Sequence, residues 1–161
     1  MSSFIEPTQL RAYGVDEIDA DHAEIMAIAN RLFDDIQQLR AAQTLGDLLA
    51  ELVERCERHF QYEESLFHAL RNAKAAAAHK ADHDIFRKRL EAIQTKFEEQ
   101  PAASHSLLAL AALRDYLLEH IKTFDAELET RIDSESLSMA VKSASIWRPG
   151  AATMGATGFT R

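Results

Sequence analysis

Cysteine occurs once, at Cys56, so no disulfide closes within this chain and its stability must come from packing. Three prolines and five glycines are too few to break up the middle of the sequence, and they gather towards the C-terminal tail. Basic charge is in deficit: 18 Lys and Arg stand against 26 Asp and Glu, giving a formal net charge of −8 and a pI near 5.3. No basic patch stands out, so nucleic acid is excluded as a partner, because such binding takes its affinity from cations on phosphates. Long apolar runs are missing too. The longest Leu/Ala stretch, Leu107 to Leu113, falls far short of the ~20 residues that span a bilayer, so no membrane partner is expected. Met1-Ser2-Ser3-Phe4 has no basic flank followed by an apolar core, and with the single cysteine this makes the cytoplasm the expected location.

Helix formers dominate what is there, and 47% apolar residues suffice for one real core. The pattern predicts an all-α, up-down-up-down four-helix bundle over 1–132, with an N-terminal arm and a C-terminal extension over 133–161. Residues 1 to 18 form the arm, which has Phe4, Ile5, Tyr13, Val15 and Ile18 to bury. Helix A is expected from about Ala20 to about Arg40, with Asp19 as N-cap and a stripe of Ile25, Ile28, Ala29, Leu32, Phe33 and Ile36. Thr44 and Asp47 resemble a capping arrangement for helix B, which carries Leu48, Leu49, Leu52, Val53, Cys56 and Phe60 inward and ends near Arg71. Asn72 caps helix C, Pro101 closes it, and Ser104 opens helix D.

Histidine stands out against this background. The chain reads His22, then His59-x-x-x-Glu63, then His79-x-x-x-His83, then His120-x-x-x-x-Asp125. Residues four apart share a helix face. His22 opens A, His59 and Glu63 fall late in B, His79 and His83 early in C, and His120 and Asp125 late in D. Antiparallel helices bring those regions to one end. A single inward histidine is usually an ordinary hydrogen-bonded core residue. Seven metal-type side chains in one layer would cost several kcal/mol without a partner. Imidazole and carboxylate without thiolate suit iron, copper, manganese or zinc, and seven ligands exceed one mononuclear site, so two metals are implied, with Glu63 and Asp125 as bridges. Glu64, one residue round, is expected in solvent. Asp125 lies five residues after His120, about 140° away on an ideal helix, so a local distortion is expected there. The ferritin-like arrangement needs Glu three residues before His, which no histidine here has, and a zincin would need Glu where Lys80 stands. His68 and His105 are read as surface residues.

These motifs, with Ile18-Asp19, His59-Phe60, Glu63-Glu64, Phe86 after His83 and His120-Ile121, resemble the bacterial members of the hemerythrin family over about residues 15 to 130. Asn72-Ala73 replaces a frequent Tyr-Pro, and Tyr116 stands where Trp is frequent. The resemblance implies two iron ions with an oxo or hydroxo bridge. His79, His83 and His120 would hold one, His22 and His59 the other, and Glu63 and Asp125 would bridge. That leaves one coordination place open on the second iron for dioxygen. Phe60, Phe86, Leu117 and Ile121 would line the oxygen pocket, besides packing the core. The implied function is reversible dioxygen binding for storage, delivery or sensing, with binding rather than turnover as the first reading. A di-iron enzyme scavenging peroxide or nitric oxide would use the same ligands. A third reading concerns the extension, where Leu137, Val141, Ala144 and Trp147 fall near one face of a short fifth helix, about Ser134 to Ile146, stopped by Arg148-Pro149-Gly150. Trp147 and Phe159 would then dock on a protein partner or neighbouring subunit and make the chain an interaction protein.

Overall fold

Apolar residues spaced at three and four build four long helices, and each turns its apolar stripe towards the same axis. The computed structural model describes residues 3–9, 15–70, 73–99, 103–125 and 138–142, with 103–106 and 124–125 by backbone alone. The helices are α1 (Asp16–Gln37), α2 (Ala42–Ala69), α3 (Ala73–Glu99) and α4 (Ala103–His120), and α4 runs on as a π turn over Ile121–Asp125. Contacts join α1 to α2, α2 to α3, α3 to α4 and α4 back to α1, which closes the antiparallel bundle. A short helical piece follows at 138–142; no strand is found among the described residues. Among them, too, no helix is long and apolar enough to cross a membrane.

The helix ends differ from expectation. α1 begins at Asp16, so Asp19 lies inside its first turn and Val15 is the N-cap, without a side-chain cap bond. Asp16, Glu17 and Asp19 all sit in that turn, where negative charge suits the helix dipole without any cap bond. The arm is therefore shorter than 1–18. Thr44 likewise lies inside α2, whose N-cap is Ala41, again without a side-chain bond. α1 stops at Gln37, short of Arg40, because Leu39 turns left-handed at φ 54°. Leu39 N–H then bonds Ile36 O at 3.1 Å and Arg40 N–H bonds Asp35 O at 3.0 Å, the pair that ends a helix in a Schellman turn. The expected cap Asn72, the α2 limit Arg71, the arm residue Tyr13 and most of the fifth helix, Trp147 included, lie outside the described residues.

The arm is ordered where it is described. Ile5 is fully buried, and the Asn30 amide brackets its backbone, accepting from Ile5 N–H at 2.7 Å and donating to Ile5 O at 3.0 Å. Phe4 stacks on Phe33 with ring centroids 4.3 Å apart.

Two apolar clusters result. The larger takes Ile25 to Ile36 of α1, Leu45 to Phe60 of α2, Phe86 and Leu90 of α3, and Leu110 to Ile121 of α4. The smaller gathers Val15, Ile18, Tyr62, Leu66, Phe67 and Ala75 at the other end, with Ala140 of the short helix on top. Between them lies a polar layer.

Candidate metal centre

That layer is built by position along the antiparallel helices. His22 is early in α1, His59 and Glu63 late in α2, His79 and His83 early in α3, and His120 ends α4. All six are buried. Glu63 Oε2 is the hub: it lies 2.9 Å from His79 Nε2, 3.1 Å from His83 Nε2, 3.4 Å from His59 Nε2 and 3.7 Å from His120 Nε2. His22 Nε2 is 3.2 Å from His59 Nε2. The donor atoms fall into two groups, Glu63 with His79, His83 and His120, and Glu63 with His22 and His59. The Asp125 side chain lies outside the described residues. Its backbone is described, and the π turn at Ile121–Asp125 is a distortion of the kind its spacing demanded, since an i→i+5 turn sets residue 125 over residue 120.

Three carboxylates stand behind the imidazoles, and two of them orient a ring by a hydrogen bond. His83 Nδ1–H donates to Glu64 Oε1 at 3.0 Å, and His120 Nδ1–H donates to Asp82 Oδ2 at 2.6 Å. Asp21 Oδ2 stands 3.9 Å from His59 Nδ1, close enough for charge attraction and too far for a hydrogen bond. Each carboxylate is itself held. Arg55 reaches Asp21 at 3.0 Å and touches Glu24; Arg87 bonds Glu64 at 2.9 Å and Glu57 at 2.7 Å; the Tyr116 hydroxyl donates to Asp82 Oδ1 at 2.6 Å. Glu64 is therefore not the solvated residue expected from its position. Sequence reasoning also passed over Asp21 and Asp82, although each of the three is the direct neighbour of a named ligand. Adjacent helical residues diverge by about 100°, so one enters the layer while the next reaches sideways to the following helix.

This donor set fits a cation. With Nδ1–H committed to carboxylates, neutral His83 and His120 aim Nε2 lone pairs at the Glu63 carboxylate, which is repulsive unless positive charge lies between them. Glu63 Oε1 is buried without a hydrogen-bond partner among the described residues, a costly state that a bound cation relieves. Protons on the imidazoles can supply that charge in a cation's place: burial opposes ionisation of Glu63, but the His59 charge and the bonds donated by protonated His120, His79 and His83 then outweigh it and hold the carboxyl well below its usual range. Burial likewise raises Asp82, and the bonds from His120 and Tyr116 more than reverse it. Two nitrogen-rich groups sharing one carboxylate in a helical bundle define a metal-binding domain.

The chain belongs to the hemerythrin family: residues 13–132 match the model of the Hemerythrin HHE cation binding domain. It is 29% identical over 113 residues to a bacteriohemerythrin of Pseudomonas aeruginosa, covering 70% of this chain and 71% of that protein. A bacteriohemerythrin of Clostridium acetobutylicum is 27% identical over 117 residues, 71% of this chain and 90% of its own length. One from Aquifex aeolicus is 29% identical over 96 residues, 60% and 72%. No solved structure is matched.

Proposed function

We propose that the layer holds two iron ions joined by an oxo or hydroxo bridge and that the domain binds dioxygen reversibly. The observation that carries this reading is Glu63, one buried carboxylate shared by a three-histidine and a two-histidine group. His79, His83 and His120 would hold one iron, His22 and His59 the other, with Glu63 and Asp125 between them. With one histidine fewer, the His22 and His59 group would be the one with room for dioxygen. A ferrous pair bound in the layer supplies the two electrons that dioxygen uptake needs. The chain supplies a dry surrounding: Phe60, Phe86, Leu117 and Ile121 are all buried, and Phe60 lies on the His83 ring at 4.2 Å between centroids. Apolar walls of this kind keep water from displacing a bound gas.

Iron content is measured first, and about two per chain is expected by ligand count; one zinc per chain ends the di-iron account. Stopped-flow mixing of the diferrous protein with dioxygen then gives an adduct that releases its gas under vacuum. Immediate oxidation with no adduct sinks the carrier reading in favour of peroxide or nitric oxide scavenging. His59→Ala removes one of the two histidines of the smaller group and is expected to abolish adduct formation while the bundle folds, by circular dichroism. An intact adduct would show that the open place is on the other iron.

A further inference from the structure

Directly beneath the metal layer the bundle encloses a small cavity whose exposed surface is wholly apolar. Each helix contributes the residue one turn from its own ligand: Ile25 follows His22 by three, Cys56 precedes His59 by three, Phe86 follows His83 by three and Leu117 precedes His120 by three. The signs alternate because the helices alternate in direction. The cavity is therefore the next layer down. Of the two rings that line the cavity, Phe86 is the one beside the histidines, its centroid 6.5 Å from that of His120. The outer end is closed by the N-terminal arm: Phe4 and Ile5 line it together with Arg114, whose guanidinium lies over the Phe4 ring at 4.9 Å. Phe4 is half-buried, so this ring separates the cavity from solvent.

Room for about one water-sized molecule and a wholly apolar exposed surface, to which Arg114 presents no polar atom, make a space that water has no reason to enter, whereas an uncharged apolar gas gives up nothing by doing so. We propose that this cavity is a holding site for a single small apolar gas molecule on an entry route to the metal layer, with Phe4 of the arm as its outer stopper. Naming that gas as dioxygen rests on the function proposed above; the site itself does not. Asn30 fastens the backbone of Ile5, whereas the Phe4 ring is held only by stacking on Phe33 and by Arg114 over its face, so opening the stopper costs those two contacts and leaves the arm docked. At the opposite end of the bundle, Tyr62, Leu66, Phe67 and Ala140 cover the layer.

Xenon is the probe, applied to the oxidised iron-loaded protein and followed by methyl NMR. Gas pressure is expected to shift the methyls of Ile25, Ala29, Leu52 and Leu113, and Ala29→Val, which narrows the same space, to remove those shifts. No shift at these methyls, or shifts spread evenly over surface methyls, overturns the site. The stopper is tested by flash or stopped-flow kinetics on Phe4→Ala, which is expected to speed dioxygen association and release by the same several-fold and leave the equilibrium affinity unchanged. Rates equal to those of the parent overturn the route. Xenon uptake needs no dioxygen chemistry, so failure of the oxygen-binding reading and failure of the cavity are read out separately.

Discussion

Leu39 holds φ at 54° with its side chain 77% exposed, a conformation that costs an L-residue about 1–2 kcal/mol. The Schellman bonds at the end of α1 require that backbone turn and nothing of the leucine side chain. Leu39→Gly should therefore stabilise the protein by about 0.5–1 kcal/mol, net of the glycine's larger unfolded-state entropy. Urea unfolding checks it, and a lower midpoint would mean that the leucine packs in a way its exposure does not show. Position 39 carried no signal in the sequence, because glycine is the usual mark of such a turn and leucine reads as one more stripe residue. Cys56 is the opposite case, since its place on the α2 stripe was readable and its chemistry follows from burial. Desolvation, helped by the Glu57 charge, pushes its thiol up to about 12, against roughly 8.5 when unfolded. The unfolded chain then loses a proton that the folded chain keeps. This thiol's contribution to stability is full below about pH 8.5 and declines as pH rises towards 12, by up to ~1.4 kcal/mol per unit. Comparing unfolding of the parent and Cys56→Ala at pH 8 and 10 isolates it. An equal pH slope in both would show that water reaches the thiol.

Among helices, the supporting carboxylates form a sequence of their own. Asp21 of α1 faces His59 of α2, Glu64 of α2 holds His83 of α3, and Asp82 of α3 holds His120 of α4. Each of the first three helices thus places a carboxylate behind the next helix's ligand, so the packing of α1 on α2, α2 on α3 and α3 on α4 and the metal layer depend on the same contacts. Asp82→Ala frees His120 to rotate and is expected to weaken metal retention by about 10–100-fold, the usual range for such partners. Tyr116→Phe, which removes only the hydroxyl behind Asp82, should weaken it less. Chelator competition ranks the two. A larger loss in Tyr116→Phe would mean that the tyrosine acts by some other path than Asp82. The ligands were legible because i,i+4 spacing fixes a helix face. Their supports were not, because they act across helices, where the contact depends on rotation and register that no single segment encodes. The π turn was legible only as a misfit: a spacing of five from His120 to Asp125 suits no α-helical face, and the backbone widens over that stretch.

At the scale of the molecule, the polar layer is enclosed from both sides. The larger apolar cluster lies below it, and Val15, Ile18, Tyr62, Leu66, Phe67 and Ala75 lie above, with Ala140 buried and Val141 packed against them. The short helix at 138–142 therefore covers the metal end of the bundle, whatever the rest of the extension does. Its reach was only half readable: Val141 sat on an expected helical face, but nothing in 133–161 alone shows which end of the bundle that face meets. Cutting the chain after residue 136 would open part of the upper cluster to water. At ~25 cal/mol per Å² of apolar surface, uncovering one side of a few residues of this size costs on the order of 1–3 kcal/mol. The effect should be local to the upper cluster, because the larger cluster makes no use of Ala140. Metal loss to a chelator is accordingly expected to speed up more than the thermal midpoint falls. Hydrogen exchange should rise first around Tyr62 to Phe67 and Val15 to Ile18, ahead of the lower helix turns. Unchanged chelator kinetics in the truncated chain would show that the layer is sealed without the extension, and would leave 138–142 a packing element with no bearing on the metal.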